Sequence, residues 1–143
     1  MNSKKYCYDY PRPSVTVDLV LIAENDSDKK ILLIERKQEP FKGMWALPGG
    51  FVDENEDLRD AAFRELKEET GIENVTLKQF GAFGKPGRDP RGHTIAIGFM
   101  ALLPSKINAI AGDDAARAKW FSIKKLPDLA FDHEEIIENA LLY

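Results

Sequence analysis

The sequence predicts an α+β fold. Runs rich in β-branched and apolar residues recur along most of the chain, and only two stretches have helix-forming composition, one central and one at the end. The chain has 143 residues, 43% of them hydrophobic and 31% charged, which suits a single domain, 1–143, with one proper core.

Taken in order, residues 1–12 read as a flexible arm, rich in Tyr and Lys and closed by Pro11 and Pro13. Residues 15–23 (VTVDLVLIA) are β-rich and mostly apolar, as in a strand covered on both sides. The polar stretch 24–29 is a turn, and 30–36 (KILLIER) resumes as a second strand, so the two form a hairpin. Residues 38–44 form a loop with Pro40 and Gly43, and 45–47 is a very short strand before a Pro48-Gly49-Gly50 turn. Residues 58–70 form a helix stopped by Gly71, with Asp53 or Asn55 as its cap and Asp53 and Glu56 at capping-box spacing. Strands follow at 74–84, 93–103 and 118–123, with a basic, proline-containing loop at 85–92 and a small-residue loop at 104–114. The last helix is 132–142, where Asp132 and Glu135 repeat the capping-box spacing and Ile136, Ile137, Ala140 and Leu141 form the apolar face.

The bulk properties exclude several function classes. A net charge of -4 argues against broad binding to DNA or RNA, though not against a nucleotide in a local basic pocket. The single cysteine, Cys7, cannot form an internal disulfide and suits a reducing cytoplasm. The N-terminus has no apolar run like that of a signal peptide, and no segment is apolar for long enough to span a bilayer.

The chemistry concentrates in Gly50 to Ile72, GFVDENEDLRDAAFRELKEETGI. At about 100° per residue, Glu69 and Glu68 fall about 40° and 60° to either side of Glu65, so the three carboxylates share one helix face. Leu58, Ala61, Ala62 and Leu66 lie on or beside that face, so the carboxylates border the packing surface. Like charges gathered there repel, and a hard divalent cation such as Mg²⁺ or Mn²⁺ relieves the repulsion. Arg64, one turn from Glu68, can orient one carboxylate without neutralising the set, and Gly50 lets the backbone come close enough for its carbonyl to face a metal. A solvated Glu-rich face would not account for the glycine turn, the arginine and the spacing together.

This run resembles the Nudix box: Gly, five residues, Glu, seven residues, then Arg-Glu-aliphatic-any-Glu-Glu-any-Gly-aliphatic. Gly50, Glu56, Arg64, Glu65, Leu66, Glu68, Glu69, Gly71 and Ile72 fill its fixed positions. The resemblance implies a Nudix fold, a mixed β-sheet core in an α/β/α sandwich. It implies Mg²⁺-dependent hydrolysis of a nucleoside diphosphate linked to another moiety, with Mn²⁺ as a second metal choice. Glu65, Glu68, Glu69 and Gly50 would hold the metal, Arg64 would support them, and Glu56 would brace the helix or touch a metal. Gly49 in the same turn joins the substrate-binding set. In many relatives the proton acceptor is an acid on a loop between late strands; here Asp113 and Asp114 match, and Asp114 joins Glu68, Glu65 and Arg64 in the catalytic set. A Gly-Asp turn is the competing reading of those two aspartates.

Outside the box, Pro86 and the stretch GRDPRGHTIAIGF resemble the ADP-ribose pyrophosphatase branch. Arg88, Arg91 and Lys85 are candidates for phosphate or ribose oxygens, against a solvated basic loop. Arg36 is a further phosphate candidate, and Phe41 and Trp45 are candidates to stack on a base, with core packing preferred for Trp45. His93 reads as a structural histidine, and His133 receives no chemistry. ADP-ribose, giving AMP and ribose 5-phosphate, is the first substrate choice. An oxidised or non-standard nucleoside triphosphate is the second. The rival from another class is a non-catalytic sensor of ADP-ribose-type ligands; relatives of that kind carry a DNA-binding domain, for which this length leaves no expected room, and often a degraded box. Many relatives are homodimers, and the arm at Tyr6–Tyr10 is the segment available for such a contact.

Overall fold

The strand Ser14–Ala23 (β1) is the spine of the molecule, as its nearly unbroken apolar run dictates. In the computed structural model, which describes residues 5–24, 28–112 and 115–143, every residue from Val17 to Ala23 is buried. Along its whole length β1 pairs in parallel with Thr94–Leu103 (β6), from Ser14 with Thr94 to Ala23 with Leu103. The other edge of β1 is shared. Ile22 and Ala23 pair antiparallel with Lys30–Arg36 (β2), and Thr16 to Asp18 pair with Gly49–Phe51 (β4). Strand β2 in turn pairs with Ala115–Ser122 (β7) on one edge and, at Ile34 and Glu35, with Trp45–Ala46 (β3) on the other. Lys78–Phe83 (β5) closes the far edge against β6. The hairpin strands β1 and β2 therefore diverge, and the segment 45–51 fills the fork. The amide of Leu19 donates to the Pro48 carbonyl at 2.8 Å inside it.

The alternation of β1 assigns its two faces to two helices. Val17, Leu19 and Leu21 join Ala61, Ala62 and Leu66 of the helix Leu58–Thr70 (α1) in one buried cluster. Val20 and Ile22 join Ile136, Ile137 and Ala140 of His133–Leu142 (α2) in a second cluster on the opposite face. The result is the expected α/β/α sandwich around a mixed sheet. Each fully buried Leu or Ile contributes about 1.5–3 kcal/mol relative to exposure, so these two clusters hold the helices to the sheet.

Several boundaries differ from the sequence reading. The glycines expected only as a turn form β4, because their backbone completes the edge of β1. Strand β5 starts at Lys78, not at residue 74, and β7 starts at Ala115, where Arg36 supplies its last partner. Asp57, not Asp53 or Asn55, occupies the N-cap of α1. Asp53 and Glu56 instead close the preceding turn, where the Asp53 amide donates to Glu56 Oε1 at 2.9 Å. Gly71 ends α1 as expected, in the left-handed region at φ 75°, with its amide on the Lys67 carbonyl. Asp132 stands at the N-cap of α2 but makes no side-chain cap there. Its carboxylate is engaged elsewhere, as described below.

Candidate active site

A cavity of about 400 Å³ opens at the fork between β1 and β2. One wall comes from the segment that the sequence singled out. Gly50 in β4 lies against the carboxylate of Glu65; a Cβ there would stand 2.5 Å from Glu65 Oε1. Only glycine leaves that carboxylate its place. Glu65 and Glu69, both buried, face the cavity from α1.

Arg64 fixes this wall. Its Nε and Nη2 donate to Glu56 at 2.7 and 2.9 Å, Nη1 donates to Glu65 at 2.8 Å and to Glu68 at 3.1 Å, and Nη2 also reaches the Phe51 carbonyl at 3.0 Å. One planar cation thus ties the β4 strand, the following turn and the helix together. The Arg64 guanidinium holds the Glu56 carboxyl down at about 2, well below the usual carboxylate value. Glu68 is the outlier of the three box carboxylates, with its side chain 57% exposed. Helical geometry put all three on one face, and the structure divides them: Glu65 and Glu69 point into the cavity, and Glu68 flanks it on the solvent side.

The opposite wall is polar and comes from segments far apart in sequence. Thr16 and Asp18 project from β1, Arg88, Asp89 and Arg91 from the loop before β6, and His133 from the start of α2. Arg88, with only 4% of its side chain exposed, donates from Nε and Nη2 to the two oxygens of Asp132 at 2.8 and 2.6 Å. Arg91 donates to Asp89 at 3.1 and 2.8 Å, and its guanidinium lies 4.8 Å from the Phe51 ring and 5.2 Å from the Phe131 ring. His133 accepts the Leu47 amide at Nδ1, 3.0 Å away, and its Nε2 stands 3.6 Å from Asp18 Oδ2. Burial dominates both titrations: it pushes the Asp18 carboxyl up to about 7 and the His133 imidazole down to about 3. His133 is therefore neutral near pH 7, and the bond at Nδ1 places its proton on Nε2, toward Asp18.

The sequence-predicted residues divide accordingly. Gly49, Gly50, Arg64, Glu65, Glu69, Arg36, Arg88 and Arg91 all line the cavity. Arg36 donates to the Pro40 carbonyl at 2.7 Å and lies 5.0 Å from the Phe131 ring. Lys85 is exposed and outside the lining, so the loop's basic residues act separately: two are pinned and one is solvated. Trp45 packs edge-on against Phe121 at 4.7 Å, and Phe41 packs against Phe131 at the same distance. His93, exposed at the start of β6, bonds the Gly84 carbonyl at 3.1 Å. Asp113 and Asp114 lie outside the described residues. Their neighbour Gly112 is described, and its amide donates to the Glu69 carbonyl at 3.0 Å, so the loop is tied to the end of α1. Sequence reasoning missed Asp18, Asp89, Asp132 and His133. The available signal was a lone aspartate inside the apolar run of β1, since a buried carboxyl demands a reason.

Could this wall hold a divalent cation? Among the described residues no three His, Cys, Asp or Glu groups converge at metal-binding distance. The donor chemistry fits all the same: two buried carboxylates and a third beside them, behind a glycine cradle that any Cβ would fill. No helix of the described residues is long and apolar enough to cross a membrane.

A carboxylate helix clamped by one arginine, behind a glycine strand at the fork of a mixed sheet, defines a class of protein. The NUDIX domain family pattern matches residues 12–140, and the chain belongs to that family. It is a Nudix hydrolase. The chain is 47% identical to the ADP-ribose pyrophosphatase of Methanocaldococcus jannaschii over 139 residues, covering 96% of this chain and 78% of that one. It is 37% identical to the ADPR responsive transcriptional repressor NtrR of Acinetobacter baylyi, covering 92% of this chain but only 54% of the repressor. Among solved structures it resembles the NUDIX domain of Shewanella oneidensis NrtR complexed with ADP ribose. There the TM-score is 0.86 and the identity 34%, with 94% of this chain and 92% of that one covered.

Proposed function

We propose that the protein hydrolyses ADP-ribose to AMP and ribose 5-phosphate, using Mg²⁺ or Mn²⁺. The observation that carries this reading is the pairing of buried Glu65 and Glu69 with a cavity whose far wall is polar and whose rim holds aromatic rings. Its volume is of the size that small-ligand sites have. The likeness to an ADP-ribose pyrophosphatase and to an ADP-ribose-bound domain supports the choice of substrate.

Glu65, Glu68 and Glu69, with the Gly50 carbonyl, would hold the metal. When bound, it would neutralise diphosphate charge and acidify the attacking water. The chain's own contribution is positional. Arg64 holds Glu65 and Glu68 side by side, so less side-chain freedom is lost when substrate arrives. Glu68, on the solvent side, or Asp114 accepts the proton from water. Arg36 and Arg91 offer guanidinium donors to phosphate oxygens at the rim, and Gly49 lets the substrate approach the backbone. Cys7, a free and exposed thiol, supports a reducing cytoplasmic setting.

A panel of ADP-ribose and dNTPs with Mg²⁺ or Mn²⁺, read by release of AMP, tests the assignment. Preference for a dNTP would overturn it in favour of a triphosphate pyrophosphohydrolase. The sensor reading is favoured by one observation, the likeness to NtrR. It would be upheld if the wild type turned over no nucleoside diphosphate derivative while Glu68→Gln bound ADP-ribose as tightly as the wild type.

A further inference from the structure

Each guanidinium on the polar wall has a carboxylate of its own. Arg88 is taken by Asp132 and Arg91 by Asp89. Asp18 is the carboxyl left over. It is 6% exposed, lines the cavity, and accepts no hydrogen bond from any described residue; its contact to His133 Nε2 at 3.6 Å is too long to be one. A buried carboxyl left in that state costs free energy unless something arrives to satisfy it.

The chemistry of that missing partner is constrained. In its ionised form Asp18 repels a phosphate oxygen, which makes it a poor partner for the diphosphate. A metal belongs to the other wall, where the glutamates are. Hydroxyl groups suit it: two vicinal O–H donors match the two oxygens of a carboxylate, and a single hydroxyl can also accept from the protonated form. Gly49 stands beside Asp18; a Cβ there would overlap the Val17 carbonyl oxygen and come within 2.7 Å of Asp18 Oδ1, so only glycine lets β4 run this close to the carboxyl. His133, anchored by the Leu47 amide, lies beside the carboxyl with its Nε2 3.6 Å from Oδ2.

We propose that Asp18 is the sugar-specificity residue of this site, its carboxyl receiving a vicinal diol of a ribose in the substrate. This rests on reading the cavity as a site for ADP-ribose. It also adds a reason for that choice over a triphosphate: a third phosphate placed against Asp18 would meet a like charge once the carboxyl ionises.

The test is calorimetric binding by the full chain in EDTA, for wild type, Asp18→Ala and the isosteric Asp18→Asn. The ligands are ADP-ribose, its 2′,3′-dideoxyadenosine counterpart, and the methyl ester of ADP, which lacks the second ribose. Asp18→Ala is expected to weaken ADP-ribose binding tenfold or more, and Asp18→Asn by less. One of the two truncated ligands should bind equally to wild type and Asp18→Ala, which identifies the ribose concerned. With Mg²⁺ present, KM for ADP-ribose should rise in Asp18→Ala and kcat should stay within a few fold. Equal weakening of all three ligands, or of none, overturns the assignment. If the wild type binds ADP-ribose through Asp18 but releases no AMP, the hydrolase reading falls and the sugar assignment stands. If it hydrolyses ADP-ribose and Asp18→Ala does so with unchanged KM, the reverse holds. If it binds none of the three ligands and releases no AMP with Mg²⁺, both fall.

Discussion

The two walls of the cavity are made in opposite ways. The carboxylate wall is one continuous stretch, Gly50 to Glu69, closed on itself by Arg64. The polar wall is assembled from β1, the loop before β6 and the start of α2, and its key pair joins residues 44 positions apart. In the first, one cation serves several anions and leaves the set acidic; in the second, cations and anions pair off and leave a single carboxyl over. The first wall presents a set of acids around one cation, and the second presents paired groups with one carboxyl over. Substitutions should therefore separate the walls: loss of an exposed carboxylate from the first should fail in chemistry, and loss of a paired group from the second in stability and recognition.

The largest effect is expected at Glu68. Glu68→Gln should lower kcat about 10²–10³-fold, the scale of a lost general base or metal ligand, with little change in thermal stability because the side chain is largely exposed. Steady-state AMP release together with a melting curve checks this. A large loss of stability with normal kcat would dissolve the distinction between the walls.

Next is Arg88. Arg88→Met leaves Asp132 without its cation beside Asp18 and Asp89, inside a buried wall. Breaking one partner of a buried pair should cost about 3 kcal/mol in unfolding free energy, measured by denaturant titration. A neutral result would show that water reaches Asp132 and that the wall is looser than its burial indicates.

How these walls relate to the sequence follows from the same contrast. Arg64, Glu65, Glu68 and Glu69 lie within two helical turns, so residue spacing alone placed them together, and Gly50 came with them through the motif. What spacing did not provide was the exposure of Glu68 against the burial of its neighbours, since that depends on where β4 packs. Asp132 shows why the other wall was hidden. Its distance from Glu135 satisfies a local capping pattern, yet a buried guanidinium outcompetes a helix-end amide for the carboxylate. His133 sits one residue further on and reads as a helix start; only the path of Leu47 through the fork gives its ring a partner. The sheet was more legible: β1, β2 and β6 announce themselves by apolar runs, while β4 consists of two glycines and a phenylalanine and has no strand signature of its own.

A smaller effect is expected at Arg64, and it carries a pH signature. Arg64→Ala should cost about 2 kcal/mol at neutral pH, less than a fully buried pair because the guanidinium is a quarter exposed. Glu56 has its carboxyl depressed from 4.5 to about 2 by Arg64, so this part of the stability is present above pH 4.5 and lost as pH falls toward 2. The stability of the wild type should decline across that window, and the decline should be flatter in Arg64→Ala. Chemical denaturation at several acid pH values reads both slopes; parallel slopes would remove Arg64 as the cause.

The smallest effect has the opposite sign. Burial raises the Asp18 carboxyl from 3.8 to about 7, so between those values the folded protein holds a proton that the unfolded chain has lost. Stability from this group therefore falls as pH rises through the window, and above pH 7 the folded state carries the full penalty of a buried charge. His133 runs the other way, since its imidazole is neutral in the fold down to about 3, and its contribution is lost as pH drops below 6.5. The two slopes oppose each other between pH 4 and 6.5, so the contribution of Asp18 stands alone only near pH 7 and above. There Asp18→Asn should stabilise the protein, by about 1 kcal/mol at pH 8 and by less at pH 5. Denaturant midpoints for wild type and Asp18→Asn at the two pH values measure the difference. A gain that is the same at both would mean that Asp18 is already satisfied in the fold, and that its carboxyl is not held in reserve for a ligand.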